Sequence, residues 1–130
     1  MNEKVAYWLE LADYDIDTAR VMLRNGKYLY VGFMCHQTIE KALKAVIAYY
    51  CADNEIPPKT HDLGKLAIRS NLFDIMTDSH RIFIEYLNPL NIEASYPEYK
   101  KHLLALLTHD KCKDIIAKSE ELLCWIKEQL

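Results

Sequence analysis

The chain has 130 residues, 51% of them hydrophobic, and its 16 Lys and Arg against 19 Asp and Glu give a formal net charge of −3. This length suits one domain with one core, and we expect residues 1–130 to form it. The mildly acidic balance argues against DNA binding, which needs a basic field to displace phosphate counterions. Only 3 Gly and 4 Pro leave too few turn-forming residues for an all-β domain.

Charges interrupt every apolar stretch, so we expect no membrane span. The first residues lack the basic and apolar regions of a signal peptide, and we expect a cytoplasmic protein. The four cysteines form no Cys-x-x-Cys pair, which favours free thiols in a reducing compartment: Cys35, Cys51, Cys112 and Cys124.

Apolar residues recur at steps of three and four in two long segments, the spacing of one helix face. The first segment, about 3–23, ends at Gly26, which tolerates the conformation that closes a helix. The second, about 28–51, precedes Pro57 and Pro58, which stop a helix. The sequence therefore predicts an antiparallel helical hairpin.

Shorter segments follow the prolines. Thr60 is expected to cap a short helix by accepting a backbone N–H bond. Another helix is expected to begin near Thr77 or Asp78 and to end before Pro89. Residues 88–97 are predicted to form a loop with two prolines. Residues 98–107 are apolar enough for one or two helical turns, and a last helix begins near Thr108. The fold class predicted is all-α, an up-and-down bundle of about five helices.

Several catalytic and cofactor motifs are absent from the sequence: a Gly-rich phosphate loop, His-Glu-x-x-His and Gly-x-Ser-x-Gly. His109 and Cys112 have helical spacing, but a closed zinc site needs four ligands. We therefore predict no cofactor and no metal.

The polar residues of the second helix are concentrated on one face. His36, Glu40 and Lys44 stand at four-residue steps, with Gln37 and Lys41 beside them. One interpretation is a solvated face with a Glu40–Lys44 pair that contributes about 0.3–0.5 kcal/mol. The other is a cluster that grips a nucleotide or a charged partner surface.

Two further places carry candidate functional groups. His61 and Asp62 open the short third helix, where they either cap and solvate it or hold an imidazole that titrates near cellular pH. Tyr96, Pro97 and Tyr99 lie between predicted helices, where tyrosines often pack a rim or an interface.

These residues carry a resemblance to a known family. Residues 35–47, CHQTIEKALKAVI, resemble the Gln-x-x-x-Glu-Lys-Ala-Leu-Lys-Ala signature of the HEPN family (higher eukaryotes and prokaryotes nucleotide-binding domain). Residues 59–63 resemble its Thr-His-Asp-Leu element, and residues 94–98, Ala-Ser-Tyr-Pro-Glu, resemble its Ala-Arg-Tyr-Pro-Asp loop. Residues 8–26 are similar to its first helix and turn, so the resemblance covers nearly the whole chain.

The resemblance implies a HEPN-like helical bundle that commonly forms a homodimer. HEPN proteins often act beside a minimal nucleotidyltransferase in a toxin–antitoxin or defence pair, so a nucleotidyltransferase is an expected partner. The resemblance and the polar clusters described above together indicate nine candidate residues for nucleotide or partner binding: His36, Gln37, Glu40, Lys41, Lys44, His61, Asp62, Tyr96 and Pro97.

Many members of the family are metal-independent ribonucleases that carry an Arg, four to six residues, and then a His. In that chemistry the His acts as acid or base and the Arg stabilises charge on the phosphate. No Arg of this chain has a His at that spacing. Ser95 stands where the family loop has Arg, and a hydroxyl offers one weaker, uncharged bond. The chain therefore resembles the branch without the ribonuclease motif.

Three hypotheses follow, and a homodimer is expected in each. The first is a non-catalytic interaction module that binds a nucleotidyltransferase. Apolar surface for the dimer is expected on Tyr28, Tyr30, Tyr49 and Tyr50.

The alternatives involve nucleic acid or its building blocks. In a stand-alone nucleotide binder, Lys41, Lys44 and His61 would meet phosphates while Tyr96 stacks on a base. In a ribonuclease toxin, which the missing motif makes the last choice, the active site would be displaced to other residues: His61 or His109 with Lys101 or Arg81.

Overall fold

The computed structural model describes residues 2–51, 56, 58–93 and 95–130. Within the described part there are helices and no strands, so the all-α prediction is confirmed, with six α-helices where the sequence predicted about five. Two short 3-10 turns, Phe73–Ile75 and Asn88–Leu90, connect some of them. The α-helices are α1 (Glu3–Arg24), α2 (Tyr28–Tyr50), α3 (Leu63–Arg69), α4 (Asp78–Leu87), α5 (Pro97–Leu106) and α6 (His109–Glu128).

Helix α2 lies at the centre of the bundle. Helices α1 and α2 form the predicted hairpin, closed by Gly26 at φ 71°, a conformation that costs glycine little. Helix α2 also contacts α3, α4, α5 and α6, and it is buried on nearly all sides from Val31 to Ala48. A helix surrounded by others has no free face, so its polar residues are buried with its apolar ones.

Four helix starts in the described residues have side-chain caps, and Asn2 Oδ1 accepts from Val5 N at 2.9 Å at the start of α1. Thr77 and Thr108 accept bonds from backbone N–H groups at the starts of α4 and α6, as predicted. For α3 the prediction was wrong by two residues, because Asp62 is the cap and accepts from Lys65 N at 3.0 Å. Thr60 instead accepts from Asp62 N at 3.1 Å, so it holds the residue that caps the helix.

The predicted loop 88–97 is partly helical. Asn88–Leu90 forms a 3-10 turn, and α5 begins at Pro97, since proline is favoured in the first turn of a helix. Residues 98–107, predicted to hold one or two turns, belong almost entirely to α5. Pro57 and Ala94 lie outside the described residues.

The four cysteines all lie in the described part of the chain, and none forms a disulfide. Among the described residues, no cluster of three or more His, Cys, Asp and Glu has the arrangement of a metal site. None of the helices in that part combines the length and the apolar character that crossing a membrane requires.

Candidate functional site

Glu40 is the centre of a buried polar cluster between α2 and the segment that precedes α3. Its two carboxylate oxygens have different partners: Lys44 Nζ lies 3.0 Å from Oε2, and His61 Nδ1 lies 2.9 Å from Oε1. His36 Nδ1 approaches Oε1 at 3.9 Å. We call these four residues, His36, Glu40, Lys44 and His61, the Glu40 cluster.

Three members of the cluster are removed from solvent. His36, Glu40 and Lys44 retain 0%, 3% and 6% of their accessible surface, so the prediction of a solvated face on α2 was wrong. The Glu40–Lys44 pair is present but buried, and Lys44 Nζ also lies 5.6 Å from the centroid of the Trp8 ring. A buried charge requires compensation, which the carboxylate and the aromatic face provide for the ammonium.

The environment of His36 favours the neutral form of its imidazole. Burial lowers the pKa of His36 below its ordinary value, against the smaller opposing attraction of the Glu40 carboxylate. Neither ring nitrogen makes a hydrogen bond of ordinary geometry with the described residues. The imidazole therefore fills space at the centre of the bundle and does not face a ligand from solvent.

His61 is the member of the cluster that reaches the surface, with about half of its side chain exposed (54%). The Glu40 carboxylate accepts hydrogen bonds, so His61 Nδ1–H donates to it. That bond fixes the tautomer and the ring plane, and it leaves Nε2 for solvent or a ligand. A histidine held by a buried carboxylate in this way can exchange a proton or contact a phosphate.

Two predicted site residues of α2 lie outside the cluster. Lys41 forms an ion pair with Asp15 of α1 and joins the two helices of the hairpin. Gln37 is partly buried, and its Oε1 has no hydrogen-bond partner among the described residues. The polar residues of α2 thus separate into a cluster near α3 and a bridge to α1.

The second predicted place, the start of α5, is connected to His61 by a chain of contacts. Asn88 Oδ1 accepts from Leu63 N at 3.0 Å, next to Asp62. Tyr99 OH donates to the carbonyl of Pro89 at 3.3 Å. The structure therefore brings the His61–Asp62 segment and the first turn of α5 to the same end of the bundle, through Asn88 and Pro89.

Tyr96 and Pro97 are both exposed there. Tyr96 precedes α5 and is 82% exposed, whereas Pro97 is the first residue of the helix and sets its starting geometry. A phenol this accessible can stack on a base, fill a pocket of a partner or accept a covalent group at its hydroxyl.

Three partners of the site were not predicted from the sequence: Trp8, Asp15 and Asn88. Asp15 had a signal, because it lies within the buried stripe of Ala12, Ile16 and Ala19, and a carboxylate in an apolar stripe indicates a buried partner. Nothing in the sequence pattern marked the other two.

His102 on α5 is a further candidate functional residue that was not predicted from the sequence. It is exposed and follows Ser95 after six residues. That interval matches the Arg-to-His spacing of the ribonuclease motif, with Ser95 in the position of the Arg. The sequence thus has a histidine at that interval and a serine, with no guanidinium, at its first position.

The residues considered for a displaced ribonuclease site are dispersed. Arg81 donates to the carbonyl of Phe73 at 2.8 and 3.0 Å, and to that of Asp74 at 3.2 Å. His109 packs edge-on against Tyr28, with 6.0 Å between ring centroids. Lys101 lies exposed on α5.

The tyrosines expected at a dimer surface differ in exposure. Tyr28 is partly buried, while the other three are at least half exposed. Tyr49 and Tyr50 pack edge to face at 5.1 Å at the end of α2.

Comparison with known proteins identifies the family of this chain and proteins of similar fold. Residues 5–129 match the HEPN domain family. A crystal structure of a protein from Thermus thermophilus is similar with a TM-score of 0.82 at 18% identity, covering 99% of this chain and 100% of that one. A crystal structure of an archaeal HEPN homologue gives 0.65 at 20% identity, covering 99% and 98%. No curated protein matches this chain.

The two structural similarities establish the fold, and the family match extends over almost every described helix. The order of the motifs on α2, before α3 and at the start of α5 agrees with that match. This chain belongs to the HEPN domain family.

Proposed function

We propose that this chain is a HEPN-domain interaction module that binds a minimal nucleotidyltransferase, as the cytoplasmic partner in a toxin–antitoxin or defence pair, and does not cleave RNA. The observation that carries the proposal is that two of its four arginines, Arg81 and Arg20, are held by internal partners. Arg81 donates to backbone carbonyls, and Arg20 pairs with Asp17 and Glu120. A guanidinium stabilises a phosphate transition state only when its donors face that phosphate.

The start of α5 supports the same conclusion. His102 keeps the spacing of the ribonuclease motif, but Ser95 supplies a hydroxyl where the Arg would stand. A hydroxyl makes a single uncharged bond, whereas a guanidinium makes bidentate, charged ones. An acid or base therefore remains at this place without the group that would stabilise the reacting phosphate.

Tyr96 is the surface group that suits a nucleotidyltransferase. These enzymes transfer a nucleotide to a hydroxyl, and the Tyr96 side chain is 82% exposed at the start of α5. Its phenolic oxygen would attack the α-phosphate of a nucleoside triphosphate, forming an O–P bond as pyrophosphate leaves with the β- and γ-phosphates. The phenolic proton would pass to a base or to water. Tyr99, whose hydroxyl is bonded to Pro89, is the second acceptor candidate.

Nucleotide binding without a partner is the second candidate function. His61 favours it, because Glu40 binds Nδ1 while about half of the side chain is exposed at the end of the bundle that carries Tyr96. Lys44 is buried and Lys41 is paired with Asp15. A nucleotide phosphate would therefore meet His61 without help from either lysine.

Affinity capture of the tagged chain from its native host tests the partner. We expect a nucleotidyltransferase in stoichiometric amount and a fraction of the captured chain heavier by one or more nucleotides. Tyr96→Phe should remove the added mass, while Tyr14→Phe, at a 72% exposed tyrosine on α1, should not. Recovery of the unmodified homodimer alone would contradict the proposal, and calorimetry with nucleoside triphosphates would then test the alternative.

A second experiment tests the absence of ribonuclease activity. The purified chain is expected to leave RNA intact. Ser95→Arg restores the missing guanidinium and should introduce weak cleavage that His102→Ala removes in the same background. Cleavage by the unmodified chain that is lost on His102→Ala or His61→Ala would show that it is a nuclease after all.

A further inference from the structure

A groove runs between α4 and α6 on a side of the bundle that the candidate site does not use. It has a volume of about 480 Å³, and its buried floor includes Phe83, Ile115 and Leu122. Ile82 and Tyr86 form one wall and are 67% and 40% exposed. Apolar side chains this accessible beside an apolar floor indicate a surface that another molecule covers.

The two helices of the groove run in opposite directions. His80, at the start of α4, packs on Trp125 near the end of α6, with 4.7 Å between ring centroids. Tyr86, at the other end of α4, lines the groove together with Lys111 near the start of α6. The start of α4 therefore lies beside the end of α6, and the end of α4 lies beside the start of α6.

Helix α6 contributes a stripe of alternating charge to the same groove. Lys111, Asp114, Lys118 and Glu121 all line it, and their spacing of three, four and three residues places them on one helix face. Asp114 and Lys118 are 3.1 Å apart and more than half exposed. We call these four residues the α6 stripe; its signs read plus, minus, plus, minus.

This order makes the α6 stripe complementary to itself in one orientation. Against an antiparallel copy of α6, Lys111 faces Glu121 of the partner subunit, and Asp114 faces Lys118 of the partner subunit. In a parallel copy in the same register, like charges would meet. A two-fold axis requires that each contact be repeated with the roles exchanged, and the α6 stripe meets that requirement about a point beside Ile116.

We propose that the α4–α6 groove is a self-association surface, on which a second copy of this chain packs with its α6 antiparallel and related by a two-fold axis. Ile82 and Tyr86 of each copy then cover the apolar groove of the other, and the α6 stripe sets the direction and the register. Charge complementarity of this kind contributes to specificity more than to affinity. The proposal does not depend on binding of a nucleotidyltransferase.

The surface differs from the one expected at Tyr28, Tyr30, Tyr49 and Tyr50, so mutagenesis separates the two. Lys111→Glu with Lys118→Glu makes the α6 stripe wholly acidic, and Asp114→Lys with Glu121→Lys makes it wholly basic. We expect each variant to dimerise at least about tenfold more weakly than the native chain, because a two-fold axis doubles every repulsion. An equimolar mixture of the two should form a heterodimer.

Two controls keep the test specific. Asp114→Lys with Lys118→Glu exchanges two charges, keeps every predicted pair opposite in sign and should leave dimerisation within about threefold of native. Ile82→Ser should weaken dimerisation about tenfold, while Ile75→Ser, at a 58% exposed site outside the groove, should not. Circular dichroism confirms that each variant is folded.

Sedimentation equilibrium measures the association in low salt and in about 1 M NaCl, where the Debye length of about 3 Å screens the α6 stripe. A dimer that weakens with salt, with recovery in the acidic–basic mixture, supports the proposal. A native chain that stays monomeric at every concentration overturns it, as does a dimer that none of the groove substitutions affects.

Discussion

The Glu40 cluster and the start of α5 carry two motifs of one family, yet they lie in opposite environments. Glu40 and Lys44 are almost completely buried, whereas Tyr96 is 82% exposed. The buried cluster joins α2 to the segment before α3, where a carboxylate satisfies an ammonium and an imidazole. Tyr96, before α5, and His102, in the middle of α5, are both exposed to solvent. Motif residues of the first kind hold the bundle together, and those of the second kind are available to partners.

Removing the carboxylate should have the largest effect. Glu40→Ala leaves Lys44 as a buried charge without its partner and should lower the free energy of unfolding by about 3–5 kcal/mol. Urea denaturation measures it, with Asp13→Ala as the control, since Asp13 forms an exposed pair with Lys127 that contributes about 0–1 kcal/mol. Equal losses for the two variants would mean that the cluster does not stabilise the fold.

A double substitution separates the effect of breaking the Glu40–Lys44 pair from the effect of removing both charges. Glu40→Leu combined with Lys44→Met removes both charges and leaves no buried ion uncompensated. We expect this double variant to lose less stability than Glu40→Ala, because breaking a buried pair costs more than replacing it by apolar groups. A double variant less stable than the single one would show that the charges themselves, and not their pairing, hold α2 in place.

His36 should make the stability depend on pH. Its pKa in the folded chain lies below the ordinary 6.5, so the unfolded chain binds the proton more readily. Protonation of His36 therefore does not reduce the free energy of unfolding above about pH 6.5. Below that pH the free energy of unfolding falls, by at most about 1.4 kcal/mol per pH unit. His36→Met should flatten the urea midpoints between about pH 7 and pH 5, while His102→Gln, at an exposed site, should not. An unchanged slope in His36→Met would assign the dependence to another group.

Removal of the helix cap of α3 should lower the free energy of unfolding by a smaller amount. Asp62→Ala removes the side chain that accepts from Lys65 N and should cost about 1 kcal/mol, whereas Asp62→Asn keeps an acceptor and should cost less. The Lys65 N–H bond lowers the pKa of Asp62 below its ordinary 3.8. Its stabilisation is therefore present above that pH and lost as the pH falls through the folded-state value. Acid titration of the native chain and Asp62→Asn should separate in that range, and coincident curves would refute the role of the carboxylate.

Substitutions at the exposed Tyr96 should hardly change the free energy of unfolding. Tyr96→Ser changes a side chain that is 82% exposed, and it should shift the free energy of unfolding by less than about 0.5 kcal/mol. Thermal denaturation checks this, with Tyr99→Phe as the companion variant that removes one exposed hydrogen bond. A large loss for Tyr96→Ser would place this residue in the fold and not at a partner surface.

Particular residues show where sequence analysis reached its limit. The helix starts near Thr77 and Thr108 were predicted because the apolar spacing of a helix is a local pattern in the sequence. The burial of His36, Glu40 and Lys44 was missed, since four-residue spacing defines a face without stating what covers it. The cover includes Trp8 of α1 and His61 before α3, and both lie far from these residues in sequence.

The sequence by itself determined the helical class, the hairpin of α1 and α2 and the family, because periodicity, caps and turns act within a few residues of the chain. The tertiary structure decided which polar face is buried, that Lys41 pairs with Asp15 and that His61 reaches Glu40. It also placed the α6 stripe beside the wall of α4. These are contacts between residues far apart in sequence, and their energies depend on desolvation, which only the packed bundle creates.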